Sequence, residues 1–413
     1  MRLAALATIV TSLVVSASTP RAALLQQGQA SPFTTRENPR PVSIPFELAV
    51  RHVVVKGTIN KSRPLAFVLD TGANRAIVRL DVAKELGLSL HGNVRTGGAG
   101  AGSQQGFLVR DATWSLAGLD GFVQPVTLAL PFTDLPSGMG RDIDGIVGGE
   151  FIRQFVVELD YQARSMTLHD PKTFAYNGRG QTLPIELNSN GHPVLKATIT
   201  LAGGEAIEAP FVLDIGSGLA IALHSPFVAE HKLPPPDAKT IRGIGMAGAG
   251  GKSHGRIGRV EALTIGSLTI KSPITMFSED KGGAFANAAL AGNLGAQIAS
   301  RFRMYLDYGR PRIILEPSPT FAEPFDRAHS GIALRAGGAD FRTFRVHEVL
   351  ENSPATDAGI QEGDIITAID GTSAATFTLS AIAEMFEKPG TYELTIRRGE
   401  QAMTVKLVPR RLI

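Results

Sequence analysis

The chain repeats itself, and this repeat limits the folds that it can adopt. Residues 67–73 read Phe-Val-Leu-Asp-Thr-Gly-Ala, and residues 211–217 read Phe-Val-Leu-Asp-Ile-Gly-Ser. Each copy also has a preceding β-rich run, a glycine-rich stretch, an element interpreted as apolar-apolar-Gly (residues 145–148 and 292–295) and a closing strand pair, in the same order. Because ordered self-similarity indicates duplicated structural units, we predict two homologous lobes in tandem.

Short β-rich runs dominate both copies of the repeat, which predicts a mainly β fold for this part of the chain. After a proline-rich linker, strand-like alternation around one helical segment at residues 380–387 predicts a small α/β domain. The 413 residues are enough for several separate cores. The predicted organisation is a signal peptide (1–23), a disordered lead-in (24–43), lobe 1 (44–172), lobe 2 (181–317) and the small domain (330–412).

The first residues resemble an export signal in composition. A positive start, Met1-Arg2, precedes an apolar stretch to Val15 and then small residues, which is the order of a cleaved secretory signal. The alternative is an uncleaved membrane anchor, although the stretch is shorter than the roughly 20 apolar residues that span a bilayer. We therefore expect an exported protein, either periplasmic or secreted.

Composition excludes several kinds of chemistry. The chain has no cysteine, which removes disulfides, thiolate nucleophiles and cysteine-containing zinc sites. A net charge of +3 with interspersed signs does not form the basic patch that nucleic-acid binding requires. The nine histidines lack metal-ligand spacing, so no metal and no cofactor is expected.

The repeated aspartates, Asp70 and Asp214, each end an apolar run and precede a tight turn. Two carboxyls a few ångströms apart share one proton, because like charges that close cannot both ionise. Such a pair can activate water with one member and polarise a peptide carbonyl with the other. Taken alone, either aspartate could simply be a turn former after a strand, but the repeat favours a catalytic pair.

The turn at residues 70–73 and the later residues 144–148, Asp-Gly-Ile-Val-Gly, resemble the active-site motifs of retropepsin-like aspartic peptidases. The resemblance covers roughly residues 44–317 and implies two closed β lobes that form a pseudo-dimer, with glycine-rich flaps over a peptide cleft. The implied turn residues are Thr71, Gly72, Ala73, Ile215, Gly216 and Ser217. The implied flap residues are Gly97, Gly98, Gly100, Gly243, Gly245 and Gly248.

The second turn departs from this family pattern. Ile215 stands where the family has Thr or Ser, whose hydroxyl ties the two active-site loops together, and Ile has no hydrogen-bonding group. Ser217 instead resembles the pepsin-like turn, in which the hydroxyl bonds the neighbouring carboxylate and favours its ionised form. Ala73 offers no such bond. We therefore expect Asp214 to be the ionised base and Asp70 to carry the proton.

The small domain resembles a bacterial PDZ domain. Its motifs are Asn-Ser-Pro-Ala at residues 352–355, Ala-Gly-Ile at 358–360, Gly-Asp-Ile-Ile at 363–366 and Ile-Asp-Gly at 369–371. The resemblance implies capture of an extended peptide, C-terminal or internal, as an added strand. The alternative is a domain that only packs against the lobes. The predicted groove residues are Phe341, Thr343, Phe344, Val346 and Ile382.

These features predict an exported, monomeric aspartic endopeptidase that acts on peptides or unfolded proteins, with a PDZ domain that recruits substrate. One alternative, favoured by Ile215, is a weak or inactive enzyme that binds peptides in its cleft and PDZ groove. Another is a homodimer in which two Asp70 residues pair. A serine hydrolase is disfavoured because the Gly-x-Ser-x-Gly elbow is absent.

Overall fold

The structure is a computed structural model that describes residues 40–132, 134–325 and 329–413, with only the backbone described for 243–247. The predicted signal peptide and residues 24–39 of the predicted lead-in lie outside these residues. The lead-in nevertheless ends earlier than predicted, because a paired strand already begins at Val42. Within the described ranges, no helix has the length and apolar character needed to cross a membrane.

Lobe 1 is a closed β structure, and its described residues include three short helices. Its main sheet has the order β2-β3-β4-β9-β5-β8-β7-β6, and an additional pairing between β3 and β7 closes it. Its elements are β1 (Val42–Pro45), β2 (Glu47–Ala49), β3 (His52–Ile59), β4 (Leu65–Leu69), β5 (Ala76–Arg79), α1 (Leu80–Glu85), β6 (His91–Thr96), β7 (Gln104–Leu116), β8 (Leu119–Leu130), α2 (Leu135–Met139), β9 (Gly145–Val147), α3 (Gly149–Ile152), β10 (Val156–Asp160) and β11 (Ser165–His169).

Lobe 2 repeats this plan, as the sequence predicts, but divides each of the two long strands of lobe 1 into two. Strand β7 corresponds to β18 and β19 together, and strand β8 corresponds to β20 and β21 together. The elements are β12 (Gln181–Pro184), β13 (Glu186–Leu187), β14 (Pro193–Thr200), β15 (Ala206–Leu213), β16 (Ile221–Leu223), α4 (Ser225–Glu230), β17 (Ile241–Gly248), β18 (Gly251–Arg259), β19 (Ala262–Ile265), β20 (Leu268–Lys271), β21 (Ile274–Ser278), a 3₁₀ turn (Ala284–Ala286), β22 (Gly292–Leu294), α5 (Ala296–Ala299), β23 (Phe302–Asp307) and β24 (Arg312–Pro317).

A six-stranded antiparallel sheet joins the two lobes. Its order is β1-β11-β10-β23-β24-β12, so each lobe supplies three equivalent strands and the lobes meet where β10 pairs with β23. One continuous apolar cluster runs through both lobes and this sheet. The mainly β, two-lobed pseudo-dimer predicted from the repeat is confirmed.

The C-terminal domain has its own apolar core. Its main sheet has the order β25-β26-β27-β29-β30, and β25 and β30 are the edge strands. The elements are β25 (Ile332–Gly337), β26 (Thr343–Val349), α6 (Pro354–Asp357), β27 (Ile365–Ile369), β28 (Thr372–Ser373), a 3₁₀ turn (Ala374–Thr376), α7 (Leu379–Phe386), β29 (Tyr392–Arg398) and β30 (Gln401–Leu407).

Paired strands fix the start of each aspartate turn. All five residues of β4 are buried, and β4 runs parallel to β9, as expected for a continuous apolar strand in a sheet interior. The Asp70 N–H donates to Val147 O at 3.0 Å, and the Asp214 N–H donates to Leu294 O at 2.8 Å. The turns therefore leave their sheets at equivalent points, each beside the Gly-x-x-Gly element of its own lobe.

Glu158 of β10 links the lobes across the joining sheet. It accepts hydrogen bonds from Arg303 Nε of β23 at 2.7 Å and from His169 Nε2 at 2.8 Å. Burial raises the pKa of Glu158, but the hydrogen bond from His169 and the charge of Arg303 outweigh burial, so its pKa lies below the ordinary value. A carboxyl with a lowered pKa stabilises the fold above its unfolded-state pKa, and this contribution is lost as the pH falls through the folded-state pKa.

We expect Glu158→Gln to lower the free energy of unfolding by about 1–2 kcal/mol at neutral pH, and the difference from wild type to shrink as the pH falls through the carboxyl range. Denaturant unfolding at several pH values measures both. Glu186→Gln, at an exposed position of lobe 2, is the control and should have little effect. A pH-independent loss for Glu158→Gln would contradict the ion-pair explanation.

Candidate active site

The two aspartate turns face each other at the junction of the lobes. Both carboxyl groups are fully buried, and each lies directly over the glycine of the opposite turn. A Cβ atom added to Gly72 would be 2.5 Å from Asp214 Oδ1, and one added to Gly216 would be 2.2 Å from Asp70 Oδ1. Only glycine permits this approach, so the glycine after each Asp-x pair is required by the partner carboxyl.

Two side-chain ties run from lobe 1 to the turn of lobe 2. The Thr71 hydroxyl donates to Leu213 O at 2.6 Å and accepts the Ile215 N–H at 3.0 Å. His52 Nε2 lies 3.1 Å from Gly216 O. Neither tie has its mirror image: Ile215 has no hydroxyl, and the Nε2 atom of His192, which the repeat aligns with His52, is buried without a hydrogen-bond partner. The aligned histidines were a signal that the sequence interpretation did not use.

Asp214 receives a side-chain hydrogen bond that was not predicted. Asn293 Nδ2 donates to Asp214 Oδ2 at 2.8 Å, and Asn293 Oδ1 lies 3.0 Å from His224 Nε2. The expected bond from Ser217 is not formed, because its hydroxyl is buried without a partner and points toward the backbone near Gly295. The signal that the sequence analysis missed was Asn293 itself, a polar residue in the element at residues 292–295 that was interpreted as apolar-apolar-Gly.

Asp70 has a different environment. Its Oδ1 accepts the Gly72 N–H at 2.7 Å, and lobe 1 has Ile146 where lobe 2 has Asn293. Burial, and next the charge of Asp214, raise the pKa of Asp70 well above its ordinary value. Two buried carboxyls this close to each other are expected to share one proton, because both cannot ionise together.

The predicted flap segments meet above the aspartates. Gly97, Gly98 and Gly100 lie in the loop between β6 and β7, while Gly243, Gly245 and Gly248 lie on β17. At the tips, the Gly102 N–H donates to Gly250 O at 2.8 Å, and a Cβ added to Gly250 would be 2.2 Å from Gly100 O. Glycine is therefore needed where the tips touch, and the cleft is closed.

A cavity of ≈ 310 Å³ lies beneath the flap segments beside Asp214. Among the residues that line it are Gly72, Gly98, His192, Asp214, His224 and Asn293. The cavity therefore connects one catalytic candidate, the lobe 1 flap and both of the buried lobe 2 histidines.

The predicted peptide groove of the small domain is wrong. Phe344, Val346 and Ile382 are fully buried in the domain core, and β26, which begins at Thr343, is paired with both β25 and β27. A strand paired on both sides cannot accept another. Phe341 lies in the preceding loop, packed at the edge of that core, and the edge strand facing α7 is β25.

Lobe 1 covers the opening between β25 and α7. Helix α2 lies against β25, and Arg335 Nη1 of β25 donates to Asp134 O at 3.0 Å. Gly140, which ends α2 with φ +66°, is so close to α7 that an added Cβ would be 2.5 Å from Leu379 Cβ. The β2–β3 hairpin also contacts α7, where the Val50 N–H donates to Ser380 Oγ at 3.0 Å.

We expect Thr71→Val to lower the free energy of unfolding by about 1–3 kcal/mol, because it leaves a buried backbone N–H and C=O without their partner. Thr127→Val is the matched control: its hydroxyl is also buried but bonds nothing, so the change should be neutral or stabilising. Denaturant unfolding of both variants measures the difference. Equal losses of unfolding free energy in Thr71→Val and Thr127→Val would contradict a stabilising role of the Thr71 hydrogen bonds.

Comparisons with known proteins agree with this description. Residues 55–151 match a family model described as aspartyl protease, and residues 323–397 match one described as PDZ domain. Serine protease HTRA1 of Xenopus laevis is 37% identical over 65 residues, and that of Xenopus tropicalis is 36% identical over 66 residues. Each match covers 16% of this chain and 14% of the relative, so the chain spans only a small part of these proteins.

Among solved structures, an aspartic proteinase from Irpex lacteus is similar at 14% sequence identity and a TM-score of 0.45, covering 69% of this chain and 99% of that one. By its family matches, the chain resembles the retropepsin-like aspartyl proteases in its first lobe and carries a PDZ domain at its C-terminal end.

Proposed function

We propose that this protein is an aspartic endopeptidase that hydrolyses peptide bonds with a water activated between Asp70 and Asp214. One observation carries the proposal: two buried carboxyls from equivalent turns meet across the lobe junction, each over the opposite glycine. This arrangement holds a carboxylic acid and a carboxylate together, which general acid–base hydrolysis requires.

In the proposed reaction, the ionised carboxylate takes a proton from water as the water oxygen bonds to the scissile carbonyl carbon. The protonated carboxyl donates its proton to the carbonyl oxygen, which gives a tetrahedral gem-diol. Collapse of the diol breaks the C–N bond, the amide nitrogen receives a proton from the pair, and a carboxylic acid and an amine leave. The raised pKa of Asp70 and the hydrogen bond that the Asn293 side chain donates to Asp214 support Asp70 as the acid and Asp214 as the base.

The matches to serine proteases suggest a serine nucleophile as another possibility, but the described site does not favour one. His224 lies against amide and carbonyl oxygens of Asn293 and Asn287. The adjacent Ser225 hydroxyl donates to the backbone at Asp280 O. A serine nucleophile needs a histidine hydrogen-bonded to its hydroxyl, which neither residue supplies.

A peptide-binding protein without catalysis is the second candidate function. The absent hydroxyl at Ile215 favours it, because loss of this tie would slow turnover without preventing binding. Retention of two facing carboxyls favours the enzyme.

We expect Asp70→Asn and Asp214→Asn each to reduce cleavage of an unfolded protein such as casein by roughly 10²–10⁴-fold. Activity should fall as the pH rises through the raised pKa of Asp70, because the acid is then lost, and should also fall at low pH as the base is protonated. Asp120→Asn, at an exposed position, is the control. Absence of cleavage by the wild type at every pH, or full activity in both site variants, would overturn the peptidase proposal and leave the peptide-binding function.

The PDZ domain is proposed to recruit peptide as a strand added to β25. Lobe 1 covers this edge, so its contact with the PDZ domain must open before a peptide can bind. Breaking that contact should therefore favour recruitment. Export, which residues 1–23 suggest, and a monomeric state remain part of the proposal, as does action on peptides or unfolded proteins.

We expect Arg335→Ala, which removes the hydrogen bond to Asp134 O, to raise the initial rate of casein cleavage by up to about tenfold, because one charged hydrogen bond that holds the covered state is lost. Arg345→Ala is the matched control, since Arg345 bonds Gly363 O within the PDZ domain. Equal rates in wild type and Arg335→Ala would contradict covering of the groove by lobe 1.

A further inference from the structure

We propose that Asn293, held in orientation by His224, is a positioning residue that keeps the Asp214 carboxyl ionised and so decides which aspartate is the base. This inference rests on the proposed peptidase function, because it assigns a role within the same catalytic pair.

The chain of hydrogen bonds has a defined direction. A carboxylate can only accept, so the Asn293 amide must turn its Nδ2 donor toward Asp214 Oδ2, 2.8 Å away. The amide oxygen then faces His224 Nε2 at 3.0 Å, and this nitrogen must carry the proton. The side chain of His224 thus fixes the amide orientation that presents a donor to Asp214.

His224 is itself held in place. Its ring packs edge-on against Phe285 with centroids 5.6 Å apart. With the proton on Nε2, Nδ1 has no proton to donate to Asn287 O, 3.2 Å away. His224 and Asn293 are 1% and 6% exposed, so both are largely shielded from bulk solvent although they line the cavity. A hydrogen bond in such a buried site is electrostatically stronger than one in water.

The described residues of lobe 1 have no equivalent of this hydrogen-bond chain. Val212 pairs with Asn293 between β15 and β22, while Val68 pairs with Ile146 at the equivalent register between β4 and β9. Asp70 therefore has an apolar side chain where Asp214 has an amide donor. A hydrogen bond to the charged form of a carboxyl favours that form, so the amide donor favours the ionised state at Asp214 rather than at Asp70.

Other titratable groups face the pair from neighbouring elements. Asp70 lies on the opposite turn, His52 contacts the Gly216 carbonyl, and His192 lines the same cavity. Burial lowers the pKa of His52 and of His224, and lowers that of His192 to about 4. The three imidazoles are therefore neutral at neutral pH, and Asp70 is the charged neighbour of Asp214 among these groups.

The test measures the pKa of Asp214 directly, so that it does not depend on turnover. In an Asp70→Asn background, ¹³C-labelled aspartate carboxyls are titrated by NMR with and without Asn293→Leu, and Asp70→Asn/Asp214→Asn identifies the Asp214 signal. We expect Asn293→Leu to raise the pKa of Asp214 by about one pH unit. In the otherwise wild-type protein, the acid limb of the kcat/KM profile should move to higher pH by the same amount.

Two histidine variants provide a second route if Asn293→Leu does not fold. His224→Leu should raise the pKa of Asp214, and His224→Gln, which retains an N–H donor, should largely restore it. His192→Leu removes another buried histidine from the same cavity and should leave the acid limb where it is.

The outcomes separate this inference from the proposed function. A raised Asp214 pKa without proteolysis at any pH would support the role of Asn293 and overturn the peptidase proposal. Proteolysis with an unmoved Asp214 pKa in both Asn293→Leu and His224→Leu would overturn the role of Asn293 and leave the peptidase proposal standing. An equal shift of the acid limb in His192→Leu would also overturn the role of Asn293, because the effect would not be specific to the amide.

Discussion

Two carboxyl groups buried against each other at the lobe junction are the constraint on which the rest of the structure depends. Burial disfavours a charged carboxyl, and a second charge within contact distance disfavours it further. The pair of Asp70 and Asp214 is stable only if it retains one proton and if the surroundings fix where that proton lies. The raised pKa of Asp70 is the expected consequence.

The scaffold brings the pair together with near symmetry and then departs from that symmetry at the site. The joining sheet supplies three equivalent strands from each lobe, which places the turns opposite each other. The side-chain contacts are unequal. Thr71 and His52 reach from lobe 1 to the lobe 2 turn, and Asn293 donates a hydrogen bond to Asp214, whereas lobe 1 has Ile146 at the equivalent position. A pair of chemically identical aspartates is thereby given two different environments, which general acid–base catalysis requires.

Much of this arrangement was predictable because it follows from local patterns that occur twice. The apolar run, aspartate and glycine of each copy predict the two lobes and the facing turns, and the glycine-rich stretch of each copy marks the flap segments. The support of Asp214 was not predictable, because whether Ser217 or Asn293 reaches the carboxyl depends on side-chain directions that packing sets. The PDZ groove was misplaced for a similar reason: the motifs identify the domain, but the edge strand is decided by which strands pair.

The most direct test of the account is the protonation of the wild-type aspartate pair, followed by ¹³C NMR of labelled carboxyls and assigned with Asp70→Asn and Asp214→Asn. The account predicts that one carboxyl titrates well above the ordinary carboxyl range, that this carboxyl is Asp70, and that replacing Asp214 lowers its pKa. If both carboxyls titrate independently in the ordinary range, the two aspartates do not share a proton and the central claim is contradicted.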